Sequence, residues 1–248
     1  TAIQHVEQAA ALYDPNRHVA HAYLFGQDPG IMWQAYGEVA LWLLGFPEQA
    51  LWQSEAAIRR SRGLSPSSQA IALHFAAMLH QLCGDAARAR SCAEASIVIA
   101  SEHGFSFWYA GANVLLGWAL ADGGQAKEGV ETLRMGLRDW LATDSVTYQT
   151  YYLGLLAEVL AHEGEAEEGS RIVEEGLGLV EKTGERLYEA ELHRLRGELL
   201  VLGPMEETAT DAILTIDAGQ RIQFANAAVR TIFGYRPSQL VGRGVRIV

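Results

Sequence analysis

Five glycines at a near-constant interval constrain this chain more than any other feature. Gly45, Gly84, Gly124, Gly164 and Gly203 are spaced 39, 40, 40 and 39 residues apart. A fixed period of this length means one supersecondary unit copied in tandem. The register extends beyond the glycines. Five residues after each of the first four stand Ala50, Ala89, Gly129 and Gly169, and twelve residues after stand Ala57, Ser96, Gly136 and Gly176. Between them, nine after, lie Ser54, Ala93, Leu133 and Val173; four before lie Leu41, His80, Leu120 and Leu160.

Elementary backbone chemistry turns this register into a fold. Glycine adopts the left-handed conformation that ends one helix and starts the turn into the next. The run ahead of Gly45, from Trp33 to Leu44, reads as a helix with a broad apolar face. Small residues seven apart lie two turns apart on one face, where helix axes approach closely. One hairpin cannot bury that face alone, so neighbours must stack into an α-solenoid. Proline is absent from the 137 residues between Pro66 and Pro204, as long helices require.

Composition removes several classes. Of 248 residues 49% are apolar, and the formal charge is −11. An acidic chain without a basic stripe is a poor polyanion binder, so no nucleic acid is expected. No apolar window is long enough to span a membrane, and the first residues carry no secretory pattern, so a cytoplasmic location is expected. Cys83 and Cys92 are too few for a disulfide framework or a four-ligand zinc site. They read as buried free thiols, or as a redox pair within one hairpin. The histidine pairs His18/His21 and His74/His80 fall short of a metal site, and the acidic cluster Glu163, Glu165, Glu167 and Glu168 reads as a solvated turn. No nucleophile–base signature is present, so neither catalysis nor a cofactor is expected.

The offsets five, nine and twelve resemble the small–aromatic–small pattern of the second helix in tetratricopeptide (TPR) repeats, although the middle position here is not aromatic. That resemblance implies a right-handed solenoid of helix hairpins over residues 1–204. The period here exceeds the roughly 34 residues of that repeat, and the surplus lies in Gly63–Pro66, His103–Phe107, Thr143–Ser145 and Thr183–Glu185. Longer helices or longer loops would both supply it. Ala2, Val6 and Ala9 match a second helix whose first is absent, so the chain reads as cut within a longer solenoid. Asp14–Gly30 reads as a connecting insertion, and Glu189–Leu202 as a first helix whose partner is blocked by Pro204.

The phrases LYDPNRHVAHAYLFGQDPG, ALWLLGFPEQAL, LHFAAMLHQL and EKTGERLYEAELHRLRGELL resemble the helical tail of large bacterial signalling proteins. In those, a class III adenylate/guanylate cyclase or another output domain, with a P-loop ATPase module, precedes such repeats. The likeness concerns the tail alone. No GxxxxGK[ST] motif occurs here.

Residues 205–248 follow another pattern. Ala212–Asp217 alternates as a strand, Gly219 sits in a turn, and Arg221–Ala225 reads as a second strand. Asn226 is placed to cap a helix over Ala227–Phe233, which Gly234-Tyr235 ends; Pro237 opens a short helix to Leu240. The spread of Asp211-Ala212-Ile213, Asp217, Ile222, Asn226, Ala228, Phe233, Gly234, Tyr235, Leu240, Gly242 and Arg243 resembles the start of a PAS sensor domain. In that family the asparagine ties the strand-to-helix corner and the glycine–tyrosine pair turns the chain. A PAS core needs roughly twice this length, and a lone hairpin is marginal in water. Loose order, docking on the solenoid, or pairing with another chain, including a homodimer, remain open for it. No His or Cys follows His193, which leaves no haem ligand or flavin-adduct thiol there.

The TPR resemblance also implies which side chains face the concave surface. They stand thirteen, ten, six and three residues before each glycine: Met32, Ala35, Val39 and Trp42; Ile71, His74, Met78 and Gln81; Gly111, Val114, Trp118 and Ala121; Tyr151, Gly154, Glu158 and Ala161. The set is apolar, rich in Met and Trp, and lacks Lys and Arg. It suits an amphipathic helix laid in a groove, or a neighbouring domain of the same polypeptide, with Trp42, Met78 and Trp118 as anchors. Two other readings stand beside it. The concave face is simply core, closed by a tight superhelix, or it seats a small-molecule effector that regulates an attached nucleotide cyclase, kinase or transcription regulator.

Overall fold

A computed structural model describes residues 2–14, 17, 20, 24, 26–202, 212–217 and 219–244. His18, His21, Gly203, Pro204 and Asp211 lie outside the described residues, as does the expected domain boundary at 204/205.

Ten helices build the repeat region among the described residues: α1 Ala2–Leu12, α2 Pro29–Leu43, α3 Pro47–Ser61, α4 Pro66–Leu82, α5 Ala86–His103, α6 Ser106–Asp122, α7 Ala126–Leu141, α8 Gln149–His162, α9 Ala166–Thr183 and α10 Glu189–Leu202. The pairs α2–α3, α4–α5, α6–α7 and α8–α9 are the four hairpins that the glycine ladder implies. Gly45, Gly84, Gly124 and Gly164 adopt φ of +84°, +71°, +87° and +79°, all left-handed. At each turn the residue after the glycine donates its amide to the carbonyl four residues before it. The four bonds, Phe46 to Leu41, Asp85 to His80, Gln125 to Leu120 and Glu165 to Leu160, are 2.8–2.9 Å long. The conspicuous position four residues upstream is therefore the acceptor that closes the helix end.

Helix starts are set locally. The Asp28 carboxylate accepts the amide of Ile31 at 3.1 Å, and Pro29 occupies the first helical position. The connecting insertion thus ends two residues earlier than expected, because Asp28-Pro29-Gly30 is a capped helix start rather than a turn. Ser65 and Asp85 cap α4 and α5 in the same manner. The long period comes from both sources named above. Helices α4 and α5 span 17 and 18 residues, whereas seven residues separate α7 from α8.

Each helix packs on the next, and the first helices α2, α4, α6, α8 and α10 also touch one another in series. They form the inner row, and the second helices fan outward. Positions five, nine and twelve after the glycine are buried in all four hairpins. One core runs from α2 to α8, and a second cluster joins α8, α9 and α10.

Beyond the repeats, β1 Leu214–Ile216 and β2 Ile222–Ala225 pair antiparallel, with Leu214 opposite Ala225. Helices α11 Ala228–Phe233 and α12 Pro237–Leu240 follow. Ile222, Ala225, Val229 and Leu240 form a small core of their own. Asn226 ties the strand-to-helix corner, as the resemblance implies, and does not serve as the expected helix cap. Its carboxamide oxygen accepts the amide of Ile213 at 3.0 Å, and its own amide donates to the Ile213 carbonyl at 3.1 Å. The helix start instead falls at Ala227, which offers no side-chain cap. Gly234 ends α11 at φ +78°, as its position implies. The Asp217 carboxylate accepts amides from Gly219 and Arg221, both at 2.9 Å, and the Gln223 side chain at 2.8 Å. Those bonds, the Arg221 amide first, hold its carboxyl below the ordinary range. Gly242 donates to Ile222 at 2.7 Å and the Arg243 carbonyl accepts the Ile222 amide at 2.8 Å, so the chain returns alongside β2.

Candidate functional site on the concave face

A cavity of about 570 Å³ opens on the inner row, lined from α2, α4, α6, α8 and α10 and the residues flanking them. Seven of the sixteen positions expected on the concave face line it: Val39, Trp42, Met78, Gln81, Trp118, Tyr151 and Glu158. All but Tyr151 stand three or six residues before a hairpin glycine, on the C-terminal halves of the first helices.

Met32 and His74 do not reach it. They belong to the N-terminal halves, where an aromatic block fills the inner face. Within that block Phe75, Trp108, Phe107, Trp140 and Tyr152 interlock at centroid distances of 4.2–6.3 Å. His74 lies 5.3 Å from Trp108, and its Nε2 sits 3.4 Å from the Tyr152 hydroxyl. Its Nδ1 has no partner among the described residues. Burial lowers its pKa to about 4. Gly111 is required here, because a Cβ would lie 2.7 Å from both His74 and Tyr152.

The cavity walls are themselves tightly made. Met78, Trp118 and Tyr151 are nearly inaccessible, at 2%, 5% and 0% exposure, whereas Trp42 is only half-buried. Tyr151 donates its hydroxyl to Gln81 Oε1 at 2.7 Å. The Trp118 indole donates to Glu158 Oε2 at 3.0 Å. Tyr151 and Tyr188 meet edge to face at 5.0 Å. Burial raises the Glu158 carboxyl above the usual range, against the smaller lowering effect of the Trp118 hydrogen bond. Tyr188 is raised for the same reason, burial first.

Sequence offsets missed the closing wall. Leu187, Tyr188, Ala190, Glu191 and Arg194 of the last unit line the cavity opposite Trp42 and Leu43 of the first hairpin. Counting back from Gly203 points to Ala190, His193, Gly197 and Leu200, and of these only Ala190 is part of it. Arg194 is held by Glu191 at 2.6 Å and Glu198 at 2.7 Å.

Two further groups escaped sequence reasoning. Glu38 is fully buried on α2, and neither carboxylate oxygen has a well-formed hydrogen bond among the described residues. Burial raises its pKa well above the usual range, offset slightly by the Ser54 hydroxyl. Asp28, also fully buried, gathers the Tyr13 hydroxyl at 2.9 Å and Arg60 at 3.6 Å, which ties the insertion to α3. Cys83 is exposed rather than buried, since it follows the last turn of α4, and Cys92 is partly buried with its thiol pushed up to about 11 by burial. Of the acidic turn, Glu168 meets Arg134 of the preceding hairpin at 2.6 Å. Among the described residues no three His, Cys, Asp or Glu side chains gather to hold a metal, and no helix is long and apolar enough to cross a membrane.

The described residues form a TPR-like helical-repeat fold followed by a short α/β segment. A family model described as the PAS fold matches residues 204–248. Among solved structures, BtubC (BKLC) from P. vanneervenii aligns with a TM-score of 0.55 at 15% identity, covering 81% of each chain. A putative kinesin light chain of nearly identical TPR-like repeats from Podosopora anserina aligns with a TM-score of 0.47 at 17% identity, over 75% of this chain and 96% of its own. No curated protein matches the sequence.

Proposed function

We propose that this chain is the non-catalytic recognition and sensing portion of a cytoplasmic bacterial signal-transduction protein. In this reading residues 1–204 hold a partner segment or a neighbouring domain on the concave helical face. Residues 205–248 open a PAS sensor that biases an output domain such as a nucleotide cyclase or kinase. The observation that carries it is the convergence of Val39, Trp42, Met78, Gln81, Trp118, Tyr151 and Glu158 on one cavity. Solenoids recognise partners by shape and a few anchors, and partly buried Trp42 is the least enclosed of Trp42, Met78 and Trp118. Apolar side chains left open on the PAS segment, Ile216, Ile232 and Val241 among them, favour pairing with a second copy there.

A photoreactive residue placed at position 42 of the full-length protein, beside one at exposed Glu131 on the outer row, tests the concave face. Cross-links to a partner or to another domain should come from position 42. Cross-links from position 131 alone would move recognition to the convex side.

A second reading, in which the cavity seats a small effector, is favoured by its size. Pockets for small ligands run roughly 300–1,000 Å³, and the cavity's volume of about 570 Å³ lies within that range.

A further inference from the structure

We propose that the concave cavity is a binding site for a small organic cation, an ammonium group on an apolar body. Glu158 neutralises the charge, and Trp42, Leu43 and Tyr188, lining side chains that keep accessible surface, pack the body. The inference rests on the effector reading of this cavity and names the chemistry of the effector.

The walls supply both halves of such a ligand. Trp42, Trp118, Tyr151 and Tyr188 line a single space, and Trp42 and Tyr188 keep accessible surface there; aromatic rings attract cations strongly once water is excluded. The charge balance around that space is one-sided. Asp122, Glu158 and Glu191 are acidic, and Arg194 is the one basic side chain of the lining. Arg194 is already spent on Glu191 and Glu198, at 2.6 and 2.7 Å. Glu158 and Asp122 have no ion-pair partner among the described residues.

Glu158 is the better placed of the two. The Trp118 indole fixes Oε2 at 3.0 Å, and Oε1 has no hydrogen-bond donor among the described residues. A carboxylate half-withdrawn from water without a counter-charge is disfavoured, and burial accordingly raises this carboxyl. The charged groups around it oppose one another. His162 and Arg194 lower it and Glu191 raises it, and neither cation forms an ion pair with it among the described residues. A bound ammonium restores the ionised form and satisfies the free oxygen in one step. An anionic ligand would meet an acidic wall, and the formal charge of −11 draws cations toward the protein as a whole.

Calorimetric titration of the full chain tests this with four probes. Two are cations, 2-phenylethylammonium and benzyltrimethylammonium; 2-phenylethanol is a neutral analogue, and 3-phenylpropionate an anion. At least one cation should bind about tenfold more tightly than 2-phenylethanol, and the anion should not bind. Glu158→Gln, which keeps an acceptor for Trp118, should remove about tenfold of the cation's affinity while leaving the melting temperature unchanged. Equal binding of 2-phenylethanol, or cation binding indifferent to Glu158→Gln, would overturn the cation assignment and leave an effector pocket of another kind. Failure of both cations to saturate up to about 10 mM, with capture only of a helical peptide bearing lysine, would overturn the small-ligand class and return the cavity to partner recognition.

Discussion

The hairpins α6–α7 and α8–α9 carry the same small residues at the same offsets and use them differently. In α7, a Cβ on Gly129 would meet the Ala121 amide and the Gly117 carbonyl at 2.6 Å, and one on Gly136 would meet the Val114 amide at 2.6 Å. The two helices of that hairpin touch backbone to backbone. In α9, a Cβ on Gly176 meets Leu192 methyls first, at 3.1 Å, and one on Gly169 a Leu199 methyl at 2.8 Å, with the Ala157 carbonyl of α8 at an ordinary 3.5 Å. There the notch receives the next helix's leucines. One sequence device thus sets two distances: contact within a hairpin in the middle of the rod, and seating of the following unit near its end.

Substitutions that fill or empty these notches break the comparison. The largest effect is expected for Gly136→Val, whose branched side chain meets immovable backbone. About 3 kcal/mol or more of unfolding free energy should be lost in urea. Leu192→Ala removes a fully buried side chain from the opposite notch. It should cost about 2–4 kcal/mol, and less when combined with Gly176→Ala, which refills part of the space.

Buried ionisable groups in the first two hairpins extend the contrast to pH. His74 is held neutral, with its pKa lowered to about 4 from 6.5. Its contribution is full above 6.5 and is lost as pH falls to 4, a change of about 3 kcal/mol that His74→Gln should abolish in acid melts. Glu38 has the opposite sign, because burial raises its folded pKa. Its contribution is full below 4.5 and declines as pH rises through the folded value. Glu38→Gln should therefore gain on the native chain progressively from pH 4.5 upward, by thermal melts, with no difference in acid.

The hairpin architecture was legible because backbone geometry depends on residue type at a few positions. Gly45, Gly84, Gly124 and Gly164 had to be left-handed, and Ala50 or Gly129 had to be small. Side-chain pairing was less legible. Asn226 looks like a helix cap from its local spacing, and only the PAS resemblance implied its tie to the strand, since nothing local shows that Ile213 will come beside it. Six of the cavity's sixteen lining residues were readable from offsets three and six, but the wall from the last unit was not. Tyr188, Glu191 and Arg194 reach it through superhelical curvature, a property summed over all units and absent from any one of them. Glu38 was invisible for a related reason: a lone glutamate in an apolar helix reads as a surface residue until the neighbouring hairpin covers it.

Paired urea unfolding of Gly129→Ala and Gly178→Ala tests the nesting of helices most directly. Both replace a helical glycine by the best helix former, which by itself stabilises by about 0.5–1 kcal/mol. A Cβ at position 178 meets nothing within 4 Å, whereas one at 129 meets the backbone of α6. Close helical nesting predicts a gain of that size at 178 and a loss of about 2 kcal/mol or more at 129. Equal gains at both positions would contradict it.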